Sequence, residues 1–332
     1  MNSEQSFATH PKNSRNLLSK MKSIIETKNL VKKFGNLTAV NSINLQVKEG
    51  EIFGFLGPNG AGKTTVINML TTLLKPTSGT ALVADYDFIK DASYVRSIIG
   101  VVPQSFSLFP ELTAEENLAY IGKLYGMKDS TIKERTDSLL KTVSLNEHRK
   151  RISGTFSGGM KQRLSIAAGL MPQPIILFMD EPTTGLDPQS RIAIRELTRS
   201  LNKSGITIFY TTHDMEEAEK LCDRIAIMDK GSIIALGTSQ EIKHMMKVDQ
   251  VVEVELEAPS KEIISELKKM PYVTSIHQHD NLLNIKVNKK EGIFYKLSDF
   301  FNKKRQRVLE IKVKEHSLED VFILLTKKDL RE

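Results

Sequence analysis

Residues 57–64 read Gly57-Pro58-Asn59-Gly60-Ala61-Gly62-Lys63-Thr64, a fit to G-x-x-x-x-G-K-[ST] lying between an apolar run that ends at Leu56 and an amphipathic stretch that opens at Lys63. Glycines at this spacing let the backbone curl around phosphate oxygens, so that successive N–H groups and a helix N-terminus face the anion while Lys63 adds a point charge. Thr64 is placed to ligate magnesium, and Thr65 to reach an α-phosphate. Strand, phosphate loop and helix in that order make this an α/β chain built on a P-loop core.

Outward from the loop, short β-rich runs at 24–30, 43–47, 51–56, 98–102, 175–179, 206–211 and 225–228 read as strands. Amphipathic stretches at 63–74, 114–125, 132–143 and 188–202 read as helices between them. Buried strands separated by helices imply a mainly parallel sheet. Residues 23–55 hold strands with no helix between, which predicts an added antiparallel layer. After about Met246 the order becomes β, α, β, β, α, β over 250–256, 261–270, 272–279, 282–287, 292–301 and 308–313, a small split βαβ domain. A closing helix at 318–326 follows Ser317, an N-cap with Asp320 at the third helical position. The expected division is an extension at 1–22, a nucleotide-binding domain at 23–246 with a helical subdomain at about 105–172, and an α+β accessory domain at 247–332.

Composition narrows the class. With 332 residues, 40% hydrophobic and 26% charged, the chain can bury a full core as an ordinary globular protein. Its purely apolar runs, such as 175–179, fall far short of the ~20 residues a membrane-spanning helix needs. Cys222 is the one cysteine, so an internal disulfide or a cysteine zinc site is excluded, and it reads as a small packed residue on a helix. The net charge of +7, with clusters at 303–307 and 327–328, suits solvated faces, an anionic membrane surface or nucleic acid alike. Residues 1–20 are polar, lack the apolar segment of a secretory signal and read as disordered; Met21 is an alternative start.

Residues 175–180, Ile-Ile-Leu-Phe-Met-Asp, form a strand that delivers the Asp180 carboxylate to its exposed end, where a phosphate site takes its second magnesium contact. Glu181 comes next. A carboxylate beside a γ-phosphate can polarise the attacking water, which makes Glu181 the candidate general base. About twenty residues upstream, Phe156-Ser157-Gly158-Gly159-Met160 puts a hydroxyl and two glycines at a helix start.

With Gln104 after the run at 98–102, Asp180-Glu181-Pro182, Gly185-Leu186-Asp187 and His213, these motifs stand in the order and spacing of the ATP-binding cassette ATPases, which the chain resembles over residues 24–236. The resemblance implies ATP and Mg2+ as ligands. It further implies that Gln104 ligates magnesium and senses a membrane partner, that His213 contacts the γ-phosphate, and that Asp187 lies at a dimer seam. Phe34 would stack on adenine, with Val40 beside it, and Ser157, Gly158 and Gly159 would bind the γ-phosphate held by a second copy. Single residues keep ordinary alternatives: Phe34 as core, Gln104 as a loop residue, His213 as a structural histidine. The remaining six histidines, 10, 148, 244, 277, 279 and 316, match no motif.

Phe156 and Met160 replace the family's commoner Leu and Gln, so a quantitative change is expected without loss of activity. The S-G-G-M form and the end segment 317–322 are similar to the subgroup that powers multidrug, antibiotic and polymer exporters, typified by the daunorubicin-resistance ATPase. The implied protein is an ATPase, cytoplasmic and peripheral on the inner face of the cell membrane. It would pair as a homodimer with a separately encoded integral membrane permease that docks near Gln104 and residues 114–143, and nucleic acid is not expected. The second reading is a soluble cassette ATPase acting on nucleic acid or ribosomes; neither a long coiled coil nor a second cassette is present to favour it.

Overall fold

In a computed structural model, residues 22–245, 250–288, 292–314 and 317–328 are described. The stretch 1–20, Met21, His10, His316 and the change of pattern at Met246 lie outside them. The first strands are β1 (Ser23–Phe34), β2 (Leu37–Lys48) and β3 (Ile52–Leu56), and the phosphate loop then leads into α1 (Lys63–Leu70). Next come β4 (Ser78–Val83), β5 (Tyr86–Asp87), α2 (Ala92–Ile98) and β6 (Ile99–Val102), followed by α3 (Ala114–Leu124), α4 (Asp129–Thr142) and α5 (Gly158–Leu170). The chain continues through β7 (Ile176–Asp180), α6 (Pro188–Lys203), β8 (Thr207–Thr212), α7 (Met215–Leu221), β9 (Arg224–Asp229), β10 (Ser232–Gly237) and α8 (Ser239–Met245). The last elements are β11 (Gln250–Leu256), α9 (Lys261–Lys268), β12 (Val273–His279), β13 (Leu282–Val287), α10 (Ile293–Lys303), β14 (Val308–Lys314) and α11 (Leu318–Lys328).

The central sheet has the order β10-β9-β3-β8-β7-β6, parallel throughout except for β10. Every residue of β3, β7 and β8 is buried, as strands covered on both faces must be. Because Leu56 pairs with Thr212 and Asp180 with Thr211, the loops after β3, β7 and β8 open side by side at one carboxyl edge. Ligands bind at such an edge in open α/β sheets. The expected antiparallel layer is a second sheet, β2-β1-β4-β5, whose Leu30, Ile43 and Leu45 pack with Phe53, Phe55, Phe178 and Phe209 of the central sheet.

A second core joins α3, α4 and α5 through Leu118, Ile132, Leu140 and Leu164 to Met179 and Tyr210. Thr113 and Glu116 start α3 with a reciprocal capping box. Helix α5 reaches the sheet at a point of backbone contact, since a Cβ at Gly100 would stand 2.2 Å from Gly169 O. No side-chain adjustment relieves a clash with backbone, so Gly100→Ala is expected to cost about 1–3 kcal/mol. A urea melt with an unchanged midpoint would reject that packing.

Several expected boundaries move, among them the ends of β1 and β2 and the start of α4, and at α1 and α2 the shift has a local form. The helix read at 63–74 stops at Leu70, where Thr71 Oγ1 turns back to donate to Ile67 O (2.8 Å) and Thr72 takes a φ of 66°. Ile98, read as a strand residue, is the last of α2, and β6 begins directly after it. Cys222 stands just past α7 with its Sγ against Gly54, and burial raises its thiol pKa.

The last sheet is antiparallel in the order β12-β13-β11-β14, the arrangement a split βαβ order predicts. Its own core gathers Val252, Val254, Leu283, Ile285, Leu297 and Phe301. Helix α11 opens on the expected cap, Ser317 Oγ accepting from Asp320 N (3.1 Å). It does not close that sheet: Leu318 and Val321 pack instead with Leu56, Ala218, Ile225 and Ile242 beside α7 and α8.

Candidate active site

The phosphate loop is pressed against its neighbours so closely that glycine is required at two points. A Cβ at Gly57 would stand 2.4 Å from Met228 O, and one at Gly62 would stand 2.4 Å from Ala39 O. Gly62 also has a φ of 107°, a left-handed conformation that favours glycine, and it starts α1. The loop borders a cavity of about 430 Å³, within the size range of small-molecule sites. Of the residues singled out in the sequence, Phe34, Asn59, Gly60, Gly62, Lys63, Thr64, Thr65, Gln104 and Glu181 line it together.

Lys63 is buried at the floor. Its Nζ donates to Gly57 O (2.7 Å) and Pro58 O (3.1 Å) and lies 2.9 Å from Glu181 Oε1. The other carboxylate oxygen, Oε2, accepts from Thr184 Oγ1 (3.1 Å), sits 2.9 Å from His213 Nδ1 and is 3.5 Å from Gln104 Nε2. Burial pushes the Glu181 carboxyl pKa up, but Lys63 and then His213 outweigh it and hold the group below its ordinary value. Glu181 is therefore an ionised carboxylate at neutral pH. Its φ of 46° is strained for a side-chain-bearing residue, and the backbone is pinned there by Thr211 Oγ1, which accepts from Glu181 N (2.9 Å).

Thr64 Oγ1 donates to Asp180 Oδ2 (2.8 Å), while Thr211 Oγ1 donates to Asp180 Oδ1 (2.6 Å). A hydroxyl and a carboxylate at hydrogen-bond distance form a hard oxygen pair, and magnesium is held by such pairs together with substrate phosphates and water. These residues fit the ion. Phe34, which the sequence also allowed as core, is 48% exposed and lines the cavity, with Lys32 Nζ 5.1 Å from its ring. An aromatic face and a cationic loop lining one cavity match a base joined to a polyphosphate.

Besides the helix starts at Ser157 and Asp187, four expected residues do not line the cavity: Val40, Ala61, Asp180, which borders an adjoining cavity with Thr64 and Gln104, and His213, which reaches the site through Glu181. Val40 is fully buried in the core, because side chains alternate along β2 and Ala39 and Leu37 take the cavity side. Ala61 turns its methyl into the same core, and its N–H is taken by Pro58 O (3.2 Å).

Ser157, Gly158, Gly159 and Asp187 are also not part of this chain's cavity lining; Ser157, Gly158 and Asp187 are exposed at two helix starts, and Gly159 is buried between them. Ser157 caps α5, its Oγ accepting from Met160 N (3.3 Å), and Asp187 caps α6, its Oδ1 accepting from Ser190 N (3.0 Å). The two helix starts touch, since a Cβ on Gly159 would stand 2.3 Å from Ser190 Oγ. Phe156, the departure from the family's Leu, is buried edge-on to His148 at 6.4 Å and lies under Arg151. His148, which matched no motif, thus has a packing role. Thr211, Thr184 and Ala39 were missed from the sequence; the only signal was the polar pair Thr211-Thr212 closing an otherwise apolar strand.

A family model described as ABC transporter matches residues 40–184, and one for the C-terminal domain of DrrA1-3-like ATP-binding proteins matches residues 237–326. The linearmycin resistance ATP-binding protein LnrL of Bacillus subtilis is 38% identical over 311 residues, covering 93% of this chain and 100% of that protein. The doxorubicin resistance ATP-binding protein DrrA of Mycobacterium tuberculosis is 46% identical over 210 residues, 63% of each chain. An ATP-binding cassette solved as a dimer in a post-hydrolysis state, bound to ADP and Pi, aligns with a TM-score of 0.59 at 31% identity, over 64% of this chain and 98% of that one. The chain belongs to the ATP-binding subunits of ABC transporters, and is an ATPase that energises transport across a membrane.

Proposed function

We propose that two copies of this chain enclose two ATP·Mg, each held by the phosphate loop of one copy and Ser157-Gly158-Gly159 of the other, and so drive a separately encoded membrane exporter. The observation that carries this reading is the ionised Glu181 held between Lys63 and His213 beside the loop, with the Ser157 helix start on a different surface of the same chain. ATP would bring its phosphates to the backbone N–H groups of Asn59, Gly60 and Gly62 and draw Lys63 to the β- and γ-oxygens, with Thr65 at the α-phosphate. Thr64 and Asp180 would hold magnesium, which neutralises charge developing on those oxygens. Glu181 then orients and deprotonates the attacking water. His213 and Gln104 border the γ-phosphate, and Asp187 meets the second copy at the seam. Loss of the γ-phosphate removes the contacts that hold the copies together, and reopening moves the attached membrane helices.

Gln104 lines this cavity and also an adjoining one formed with Leu73, Val101 and Pro103, so it stands where the permease would sense the nucleotide. No helix among the described residues is long and apolar enough to cross a membrane. The transmembrane path therefore comes from the partner, and this chain works at the inner face of the cell membrane. The relatives named for resistance to linearmycin and doxorubicin favour an antibiotic or other amphipathic cargo.

Purification of the tagged chain from native membranes is expected to bring down an integral membrane protein in stoichiometric amount. Ribosomes or DNA, with no membrane subunit, would overturn the exporter reading. Phe34→Ala removes the stacking face, worth about 1–3 kcal/mol per base, and is expected to raise the Kd for ATP roughly 5- to 150-fold with kcat little changed. Equal affinity by titration calorimetry would remove Phe34 from the site.

A further inference from the structure

Strand β14 forms an edge of the C-terminal sheet, and no described strand pairs with its outer side. Exposed edges of this length invite pairing with another chain, and proteins blunt them with proline, short strands, bulges or charged side chains, lysine above all. β14 carries a bulge at Leu309 and the charges Glu310, Lys312 and Lys314, so only a partner that matches those charges is favoured. β14 has no proline and runs for seven residues, Val-Leu-Glu-Ile-Lys-Val-Lys. Leu309 and Val313 are 53% and 37% exposed. The pairing of β14 with β11 shifts register at Leu309, which leaves that side chain outside the sheet's own core.

Over residues 309–313 the sequence of β14 is self-complementary about Ile311, and only the outermost pair, Val308 with Lys314, is unmatched. In an antiparallel pair of two β14 strands centred there, Ile311 faces its own counterpart, Glu310 faces Lys312 in both directions, and Leu309 faces Val313 in both directions. Within one copy Lys312 Nζ already lies 2.7 Å from Glu310 Oε1, with both side chains largely in solvent. Pairing would turn this single ion pair into an alternating square of two acids and two bases. Opposite charges and apolar pairs directly across an antiparallel ladder are the stabilising arrangement, whereas like charges there are destabilising. Any other register that pairs residues directly loses one of these matches: a centre on Glu310 or Lys312 sets like charges face to face, and a centre on the bond between Glu310 and Ile311 opposes Ile311 to a charge.

We propose that β14 is a second homodimer contact, in which two copies of this chain join their C-terminal sheets edge to edge about a two-fold axis at Ile311. Isologous contacts of this kind use the same patch on both copies, so each residue counts twice. One strand pair buries less than the ~1,000 Å² of a stable interface, so the contact alone is weak. It becomes effective when the copies are already held together, through effective concentration. The contact needs no nucleotide and does not rest on the sandwich proposed above.

The test uses the full chain, without nucleotide, at high protein concentration. Leu309→Cys and Val313→Cys are made separately and oxidised mildly, alone and mixed, beside the unsubstituted chain as a control for Cys222. Directly opposed cross-strand positions lie close to disulfide range, and positions four residues out of step do not. A cross-linked dimer is expected in the mixture at ten-fold or more the yield of either variant alone. Adding Glu310→Lys to both is expected to lower that yield ten-fold, and adding Lys312→Glu as well to restore it. Equal yields from the single variants and the mixture, or a yield indifferent to both charge changes, would overturn the proposal. An unchanged melting temperature confirms that the exposed substitutions leave the fold intact.

Discussion

Glu181→Gln is expected to lower kcat for ATP hydrolysis by about 10²- to 10⁴-fold, the range for loss of a general base, while the Kd for ATP moves by no more than a few-fold. The substitution keeps the shape of the side chain and removes only its charge and basicity. Lys63 retains Gly57 O and Pro58 O as partners, so the cation stays poised at the loop, and its attraction to phosphate is no longer opposed by a carboxylate at 2.9 Å. With closure favoured and hydrolysis blocked, the variant is expected to accumulate as an ATP-dependent dimer at micromolar chain. At that concentration a lone β14 contact contributes nothing measurable. Phosphate release and size-exclusion profiles with MgATP check both halves. Glu217 supplies the contrast: beside Asp180 and Glu181 it is a third buried carboxylate at this sheet edge, but its Oε2 accepts from Thr183 (2.8 Å) and Thr212 (2.9 Å) and it does not line the cavity. Glu217→Gln should therefore act on stability and leave kcat near wild type. Steady-state turnover by Glu181→Gln within ten-fold of wild type would remove it as the base.

Much of this architecture is legible in the sequence because the chemistry writes it there. The strands β3 and β7 are short runs rich in apolar residues, β8 is a run of β-formers, and each ends in the residues that meet at the carboxyl edge. Short elements were harder. Helices α7 and α8 span seven residues each, two turns with little periodicity to detect, and β10 enters through a hairpin at Lys230 and Gly231, whose φ values of 43° and 83° are signalled only by a turn sequence. The supporting polar groups are hidden for a different reason. On a strand buried on both faces, Thr207, Thr211 and Thr212 read as ordinary β-formers, and their partners, Gly50 N, Asp180 and Glu217, emerge only once the start of β3, β7 and α7 lie alongside. Val40 shows how far one position matters: β1 and β2 pair with register shifts on either side of Lys32, and a slip of one residue exchanges the core face for the cavity face. Neither composition nor a motif carries that parity. The route of α11 was equally invisible, because its apolar stripe is satisfied as well by one core as by the other.

The mixing of two inactive chains is expected to restore activity. Lys63→Ala removes the cation that the phosphates require, and Ser157→Arg puts a bulky charge at the α5 start that must approach the other copy's nucleotide. Each variant alone is expected to retain under a few per cent of wild-type turnover, because every site in its homodimer carries the defect. In a heterodimer the defects segregate. One site combines the substituted loop with the substituted helix start and is dead, whereas the other combines Lys63 of one chain with Ser157 of its partner and is whole. Random pairing makes half the dimers mixed, each with one good site of two, so independent sites recover about one quarter of wild-type activity. If loop and signature acted within one chain, no combination would contain a whole site. Strong coupling between the sites would depress turnover even in a shared-site dimer, so closure is read separately. In the Glu181→Gln background the mixture is expected to form an ATP-dependent dimer that neither parent forms. Ser157, Gly158 and Asp187 lie outside the cavity that Lys63, Thr64 and Glu181 line, so in the proposed sandwich they are supplied by the other copy. A mixture that neither hydrolyses ATP nor dimerises would exclude the composite site.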